Sequence, residues 1–161
     1  MTIRSILPQD NIRIQSIIQD SILEHDASKE GTAYSDAATM AMYERYQLPR
    51  SAYFVVIDEV WRVLGGAGIS KLDHYSGNYA ELQKMYFDPK IRGLGLGSKL
   101  MELCLQTAKS YAFSHVYIET MGNMLAAQKL YRKYGFETLE RPLGNTGHYS
   151  CPVQMLKAID R

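Results

Sequence analysis

The chain has 161 residues, 46% hydrophobic and 22% charged, which suits a single domain spanning 1–161 whose core needs neither disulfide nor metal. A formal net charge of +1 gives no global attraction to nucleic acid or a membrane surface, and no apolar run approaches transmembrane length. Cys104 and Cys151 lack metal-ligand spacing and no signal peptide follows Met1, so a reduced, cytoplasmic protein is expected.

Thr2 to Leu7, β-branched and closed by Pro8, reads as a first strand. Ile14, Ile17, Ile18 and Ile22 recur at helical spacing and predict an amphipathic helix over about Asn11 to His25, with Asp10 as its N-cap. A small polar segment, Asp26 to Ser35, leads to a second helix from roughly Asp36 to Tyr46, stopped before Pro49. Ser51 to Ile57 and Val60 to Lys71 read as a hairpin turning at Asp58-Glu59, with Trp61 packed into it. Gly65, Gly66 and Gly68 in the second of these strands predict a bulge or a close approach of another chain segment. Ala80 to Phe87 is the next strand: alternation puts Glu81, Gln83, Met85 and Phe87 on one face and Leu82, Lys84 and Tyr86 on the other, unless a bulge intervenes. Apolar positions from Leu96 to Tyr111 then predict a helix, and Val116 to Glu119 a strand ending in a carboxylate. A short helix from about Met124 to Tyr134, capped by Asn123 and ended by Gly135, precedes strands at Phe136–Leu139 and Cys151–Leu156.

Between the strand ending at Phe87 and the helix that follows lies Arg92-Gly93-Leu94-Gly95-Leu96-Gly97-Ser98. A helix N-terminus leaves backbone N–H groups without intrahelical partners, its dipole favours negative charge, and glycines let a phosphate come close. Arg92 adds a cation able to bind in two places at once. The stretch lacks the terminal Lys-Ser/Thr of a P-loop and the last glycine of a dinucleotide fingerprint. Its spacing is Arg-x-x-Gly-x-Gly, and with Asp88-Pro89 before it and Leu130-Tyr131…Gly135-Phe136 after it, the sequence resembles the GNAT superfamily of acetyl-CoA-dependent N-acetyltransferases.

That resemblance covers nearly the whole chain, weakly before residue 50. It implies an α/β fold with a mixed, mostly antiparallel sheet of six to seven strands flanked by about four helices, and acetyl-CoA as co-substrate without a metal. The turn from Arg92 to Ser98 would cradle the pyrophosphate, while the strand ending Met85-Tyr86-Phe87 would splay from its neighbour and pair with the pantetheine arm. An N–H near Phe87 would then donate to the thioester carbonyl. Tyr131 occupies the position whose phenol protonates the leaving thiolate, and an unperturbed tyrosine still holds its proton at neutral pH. Two carboxylates match family base positions: Glu81, as in histone-type members, and Glu119, as in bacterial ribosomal-protein enzymes. Ordered water is the third option. Superfamily members place an Asn seven residues before the motif Tyr. Here that residue is Met124, and Asn123, one earlier, is either a cofactor contact or a helix cap.

The acceptor pocket implied by the resemblance is built from Glu24 to Met42, with Glu30, Tyr34 and Asp36, and from Arg141 to Tyr149, with His148. Carboxylates and a tyrosine suit a cationic amine. The expected acceptor is therefore a small primary amine, such as an amino acid, polyamine or antibiotic. A protein N-terminus or lysine is the alternative, as is a non-catalytic acetyl-CoA sensor. His25 and His74 read as solvent-facing. Dimers are common in the superfamily, so a homodimer is compatible with the resemblance.

Overall fold

The computed structural model describes residues 1–25 and 29–159. Among these are five α-helices: α1 (Asn11–Glu24), α2 (Ala37–Met40), α3 (Met42–Arg45), α4 (Leu96–Ser110) and α5 (Leu125–Lys133). Seven strands form one sheet: β1 (Thr2–Ser5), β2 (Ala52–Ile57), β3 (Val63–Lys71), β4 (Tyr79–Phe87), β5 (His115–Thr120), β6 (Glu137–Thr138) and β7 (Val153–Ala158). Their order is β1-β2-β3-β4-β5-β7-β6, and every neighbouring pair is antiparallel except β4 and β5. The mixed, mostly antiparallel α/β architecture is the expected one. No helix of the described residues is long and apolar enough to cross a membrane.

Alternation along each strand gives the sheet two apolar faces. Leu96, Leu100, Met101, Cys104 and Ala108 of α4, with Tyr131 of α5, pack on Val56, Ala67, Leu82, Val116 and Ile118. On the other face Ile14, Ile17, Ile18 and Ile22 of α1 pack with Met42, Tyr46, Tyr53, Val55 and Ile57. Burying each such large aliphatic side chain stabilises the fold by roughly 1.5–3 kcal/mol.

Three local expectations are corrected. Asp10 precedes α1 without capping it: its buried carboxylate turns back to the Leu7 N–H at 2.8 Å and to Arg4 at 2.6 Å. The single helix expected from Asp36 to Tyr46 is two short ones, because Ala41 leaves the helical region at φ −133°, ψ 52°. Asp36 does cap the first, accepting from the Ala38 N–H at 2.9 Å. Trp61 is 71% exposed, at a positive φ on the hairpin tip, and not packed into it.

The bulge expected at Gly65, Gly66 and Gly68 is present and shapes the site. Gly66 pairs with Tyr86 and Gly68 with Gln83, so one residue of β3 faces two of β4, and Lys84 sits in the bulge at φ +52°. A left-handed lysine costs on the order of 1–2 kcal/mol. The extra residue reverses the alternation, so Leu82, Met85 and Phe87 face α4 while Tyr86 faces α1. On its other edge β4 pairs with β5 through Tyr79, Ala80 and Glu81, and the described ladder ends there.

Candidate functional site

Beyond the point where the β4–β5 ladder ends, a cleft of about 430 Å³ opens between β4 and the start of α5. One wall is Met85, Tyr86 and Phe87 of β4; the other is Asn123, Met124 and Leu125 at the start of α5. Its floor is Gly93, Gly95, Leu96 and Gly97, at the N-terminus of α4. Leu94 and Ser98, expected with them, are not among its lining residues. Gly93 and Gly95 hold φ of +76° and +77°, and a Cβ on either would meet nothing within 4 Å. The glycines thus leave an open approach to the first backbone N–H groups of a 15-residue helix, an electropositive end free for an anion.

Arg92 lies on the rim with its guanidinium engaged by protein. It donates to both oxygens of Glu24 at 2.7 Å and to the Phe87 carbonyl at 3.1 Å. The Arg92 hydrogen bond in turn holds the Glu24 carboxyl below its ordinary value. Asn123 does not cap α5: its side-chain amide donates to the His25 carbonyl at 2.6 Å across the cleft mouth. His25 and Ser21, at the end of α1, line the cleft as well, and His25 is half-buried instead of solvent-facing. The sequence gives no sign of this, since only the fold carries the end of α1 over the turn.

A smaller cavity of about 40 Å³ shares Met85, Tyr86 and Met124 with the cleft and brings Tyr131 together with Glu119, Lys84, Tyr86 and Cys151. Tyr131 is 5% exposed, and burial, with Cys151 adding, pushes its phenol well above the ordinary value, so it stays protonated at neutral pH. Tyr134 lies away from the cavity, donating to Glu102 at 2.6 Å.

Behind this cavity the structure brings together residues from four separate segments. Glu81, Glu119 and His148 offer ligand-type atoms all within 4.8 Å of one another. That spacing suits one small cation, an ammonium group included. Glu81 is 2% exposed, and burial pushes its carboxyl up to about 7, against a 2.6 Å hydrogen bond from Gln83 that lowers it. Gln83 accepts from the Tyr46 hydroxyl at 2.7 Å, which fixes the amide with its NH2 toward Glu81. Glu119 accepts from Tyr117 at 2.7 Å and from Thr146, so the Arg141–Tyr149 loop is fastened over it. His148 Nε2 is buried without a hydrogen bond, 3.4 Å from Asp36 Oδ2, and its Nδ1 lies 4.0 Å from Glu119.

Asp36 also pairs at 2.5 Å with Lys84, whose side chain is 3% exposed. Desolvation would raise the Asp36 carboxyl, but His148, Lys84 and the Ala38 N–H outweigh it and hold the carboxyl low. Lys84 went unread in the sequence; a lysine amid Leu82, Met85 and Phe87 was the available sign. Of the other expected acceptor residues, Tyr34 is half-buried under the Lys29 ammonium, 5.2 Å from its ring centre. Glu30 is exposed and joins the loop through its carbonyl, which accepts from Ser150 at 2.9 Å. Residues 26–28 of the expected acceptor segment lie outside the described residues.

Comparison with known proteins adds a family match, two relatives and two solved structures of the same fold. The family model described as the acetyltransferase (GNAT) family matches residues 19–136. The uncharacterized N-acetyltransferase YjgM of Escherichia coli (strain K12) is 37% identical over 157 residues, 97% of this chain and 93% of that protein. Human N-acetylaspartate synthetase is 31% identical over 124 residues, 76% of this chain but 39% of the synthetase. Among solved structures, a GNAT acetyltransferase of Staphylococcus aureus Mu50 shares the fold at a TM-score of 0.82 and 17% identity, covering 99% of each chain. A phosphinothricin acetyltransferase of Sinorhizobium meliloti, in complex with AcCoA, matches at a TM-score of 0.78 and 21% identity, over 98% of this chain and 88% of that one.

Proposed function

The chain belongs to the acetyltransferase (GNAT) family, and on that footing we propose that it moves the acetyl group of acetyl-CoA to a small primary amine by direct attack in a ternary complex. The observation that carries this reading is the shared wall of the two cavities: Met85, Tyr86 and Met124 line both. The cleft holds the N-terminus of α4, and the smaller cavity beyond that wall holds Tyr131 and Glu119.

The pyrophosphate would sit on the Gly93–Gly97 turn, with Arg92 and Asn123 on the rim. The unpaired edge of Met85, Tyr86 and Phe87 would take the pantetheine arm, and a main-chain N–H there would face the thioester oxygen as negative charge develops on it. The acceptor arrives as an ammonium. Glu81 or Glu119, directly or through water, takes one proton, and the freed lone pair forms the C–N bond. Collapse of the adduct breaks the C–S bond, and Tyr131 gives its proton to the departing sulfur. The adduct nitrogen gives its second proton, through water, to the phenolate left at Tyr131 and becomes the amide. Burial keeps that phenol protonated until charge builds on sulfur.

A small acceptor is supported by the loop at 144–150, closed over the carboxylates by Thr146 on Glu119 and by the Ser150 N–H on the Gly31 carbonyl at 3.0 Å. Asp36 and His148 would line the acceptor's path, with Tyr34 and Glu30 further out. The relative named N-acetylaspartate synthetase points the same way by its product.

Thiol release from acetyl-CoA, followed against a panel of amino acids, polyamines, aminoglycosides and N-terminal peptides, tests the reading. Amine-dependent release with one or more small amines is expected. Release with peptides alone would overturn the small-amine assignment, and saturable binding without release across the panel would overturn turnover. Tyr131→Phe keeps the packing and removes the proton, so kcat should fall about 10²-fold while acetyl-CoA still binds. An unchanged kcat would remove Tyr131 from the chemistry.

A further inference from the structure

Tyr53 stands on β2, two strands from the cleft, and is 1% exposed. Its ring crosses β3 where that strand has no side chains. A Cβ added to Gly66 would lie 2.5 Å from Tyr53 Cε1, and one added to Gly68 would lie 2.5 Å from Cδ2. Alanine at either position would expel the ring, so the two glycines exist as the floor on which it rests. Beyond them the Tyr53 hydroxyl donates to the main-chain carbonyl of Lys84 at 2.7 Å, in a buried environment.

That carbonyl belongs to the bulged residue, held at φ +52°. A bulge withdraws main-chain groups from the ladder, and a buried carbonyl without a partner is costly. The hydroxyl supplies that partner. Without a bulge, β4 would slip by one residue from Lys84 onward and Met85, Tyr86 and Phe87 would exchange faces. The side chains that now line the cleft would then point elsewhere.

We propose that Tyr53 is a positioning residue for acetyl transfer: its hydroxyl, carried over Gly66 and Gly68 to the Lys84 carbonyl, fixes the bulge that presents the Met85–Phe87 edge to the thioester arm. A ring alone would fill this space; the hydroxyl is what reaches β4. Tyr46, its ring tilted against that of Tyr53 with centroids 5.0 Å apart, braces the same strand through Gln83. The assignment rests on the reading that acetyl-CoA occupies the cleft.

Tyr53→Phe leaves the ring on its glycine floor and removes the hydroxyl alone. Calorimetric binding is measured for acetyl-CoA and for adenosine 3′-phosphate 5′-diphosphate, which carries the phosphates without the pantetheine arm. Acetyl-CoA affinity and kcat/KM should fall about tenfold, the order expected for one lost buried hydrogen bond, while the nucleotide binds as it does to the wild type. Acetyl-CoA affinity within about twofold of wild type would overturn the proposal. So would equal weakening of both ligands, which would mark a general loosening of the fold. A wild-type protein that binds the nucleotide but gains nothing from the thioester arm would overturn the cofactor reading and this inference together. That outcome is distinct from a wild type that gains from the arm and a variant that matches it.

Discussion

Glu81 is the residue at which burial and chemistry meet. Its carboxyl is pushed up from 4.5 to about 7 by desolvation, and the donation from Gln83 offsets only part of that. A folded value above the unfolded one means that the folded state binds the proton more tightly. The stabilisation is therefore complete below the unfolded pKa, is lost as pH rises through about 7, and amounts to something on the order of 3 kcal/mol. Glu81→Gln never ionises, so it should gain stability relative to the wild type between pH 5 and pH 8, read as the difference in denaturant midpoints. A difference constant with pH would contradict the raised value. Should Glu81 be the base, the same variant also loses the acid limb near pH 7 in kcat/KM. The sequence made Glu81 and Glu119 visible as strand carboxylates. Gln83 was legible as a neighbour of Glu81 on one face of β4. Tyr46 and His148 were hidden, because one follows α3, the other lies in the last loop, and both come near these carboxylates only in three dimensions. Arg92 was legible as a cation on the turn, but its partner Glu24 lies 68 residues earlier in the chain.

At the scale of elements, the turn before α4 carries the most testable geometry. Gly95 flanks the helix at φ +77° with open space where a Cβ would go. Gly95→Ala therefore costs stability through the backbone alone, about 1–2 kcal/mol. For a domain of this size, that lowers Tm by roughly 2–8 °C. The methyl would stand in the approach to the helix N-terminus, so affinity for acetyl-CoA should fall about tenfold or more, beyond what the stability loss explains. Unchanged affinity in a protein with lowered Tm would remove the turn from the phosphate site. This element was readable because glycine spacing and helical periodicity are local properties. The break at Ala41 was not, since no glycine or proline marks it and both halves are good helix sequence. The bulge was half readable: Gly65, Gly66 and Gly68 announced an irregularity, but the residue that absorbs it is Lys84 on the partner strand.

The whole molecule divides along the line where its site lies. β1 to β4 form one continuous antiparallel unit, β5, β7 and β6 another, and the two join through three residue pairs between β4 and β5. Helices α1 and α4 pack on the faces, but past Glu81 the seam is open and the cleft occupies the gap. A ligand that binds there as an added strand, with its phosphates on α4, would bridge both halves, so its binding energy should appear as stability of the seam. At 100 times its Kd, acetyl-CoA should add about 2.7 kcal/mol. That corresponds to a rise in Tm of roughly 5–11 °C. Hydrogen exchange should slow at 82–87, at 93–97 and at 121–125, and change little in β1 and β2, which the ligand does not touch. Adenosine 3′-phosphate 5′-diphosphate should protect 93–97 without 82–87, since it lacks the arm that pairs with β4. Uniform protection across the sheet would contradict a seam bridged by the cofactor. So would a rise in Tm from acetyl-CoA with no change at 82–87, because the energy would then come from the turn alone.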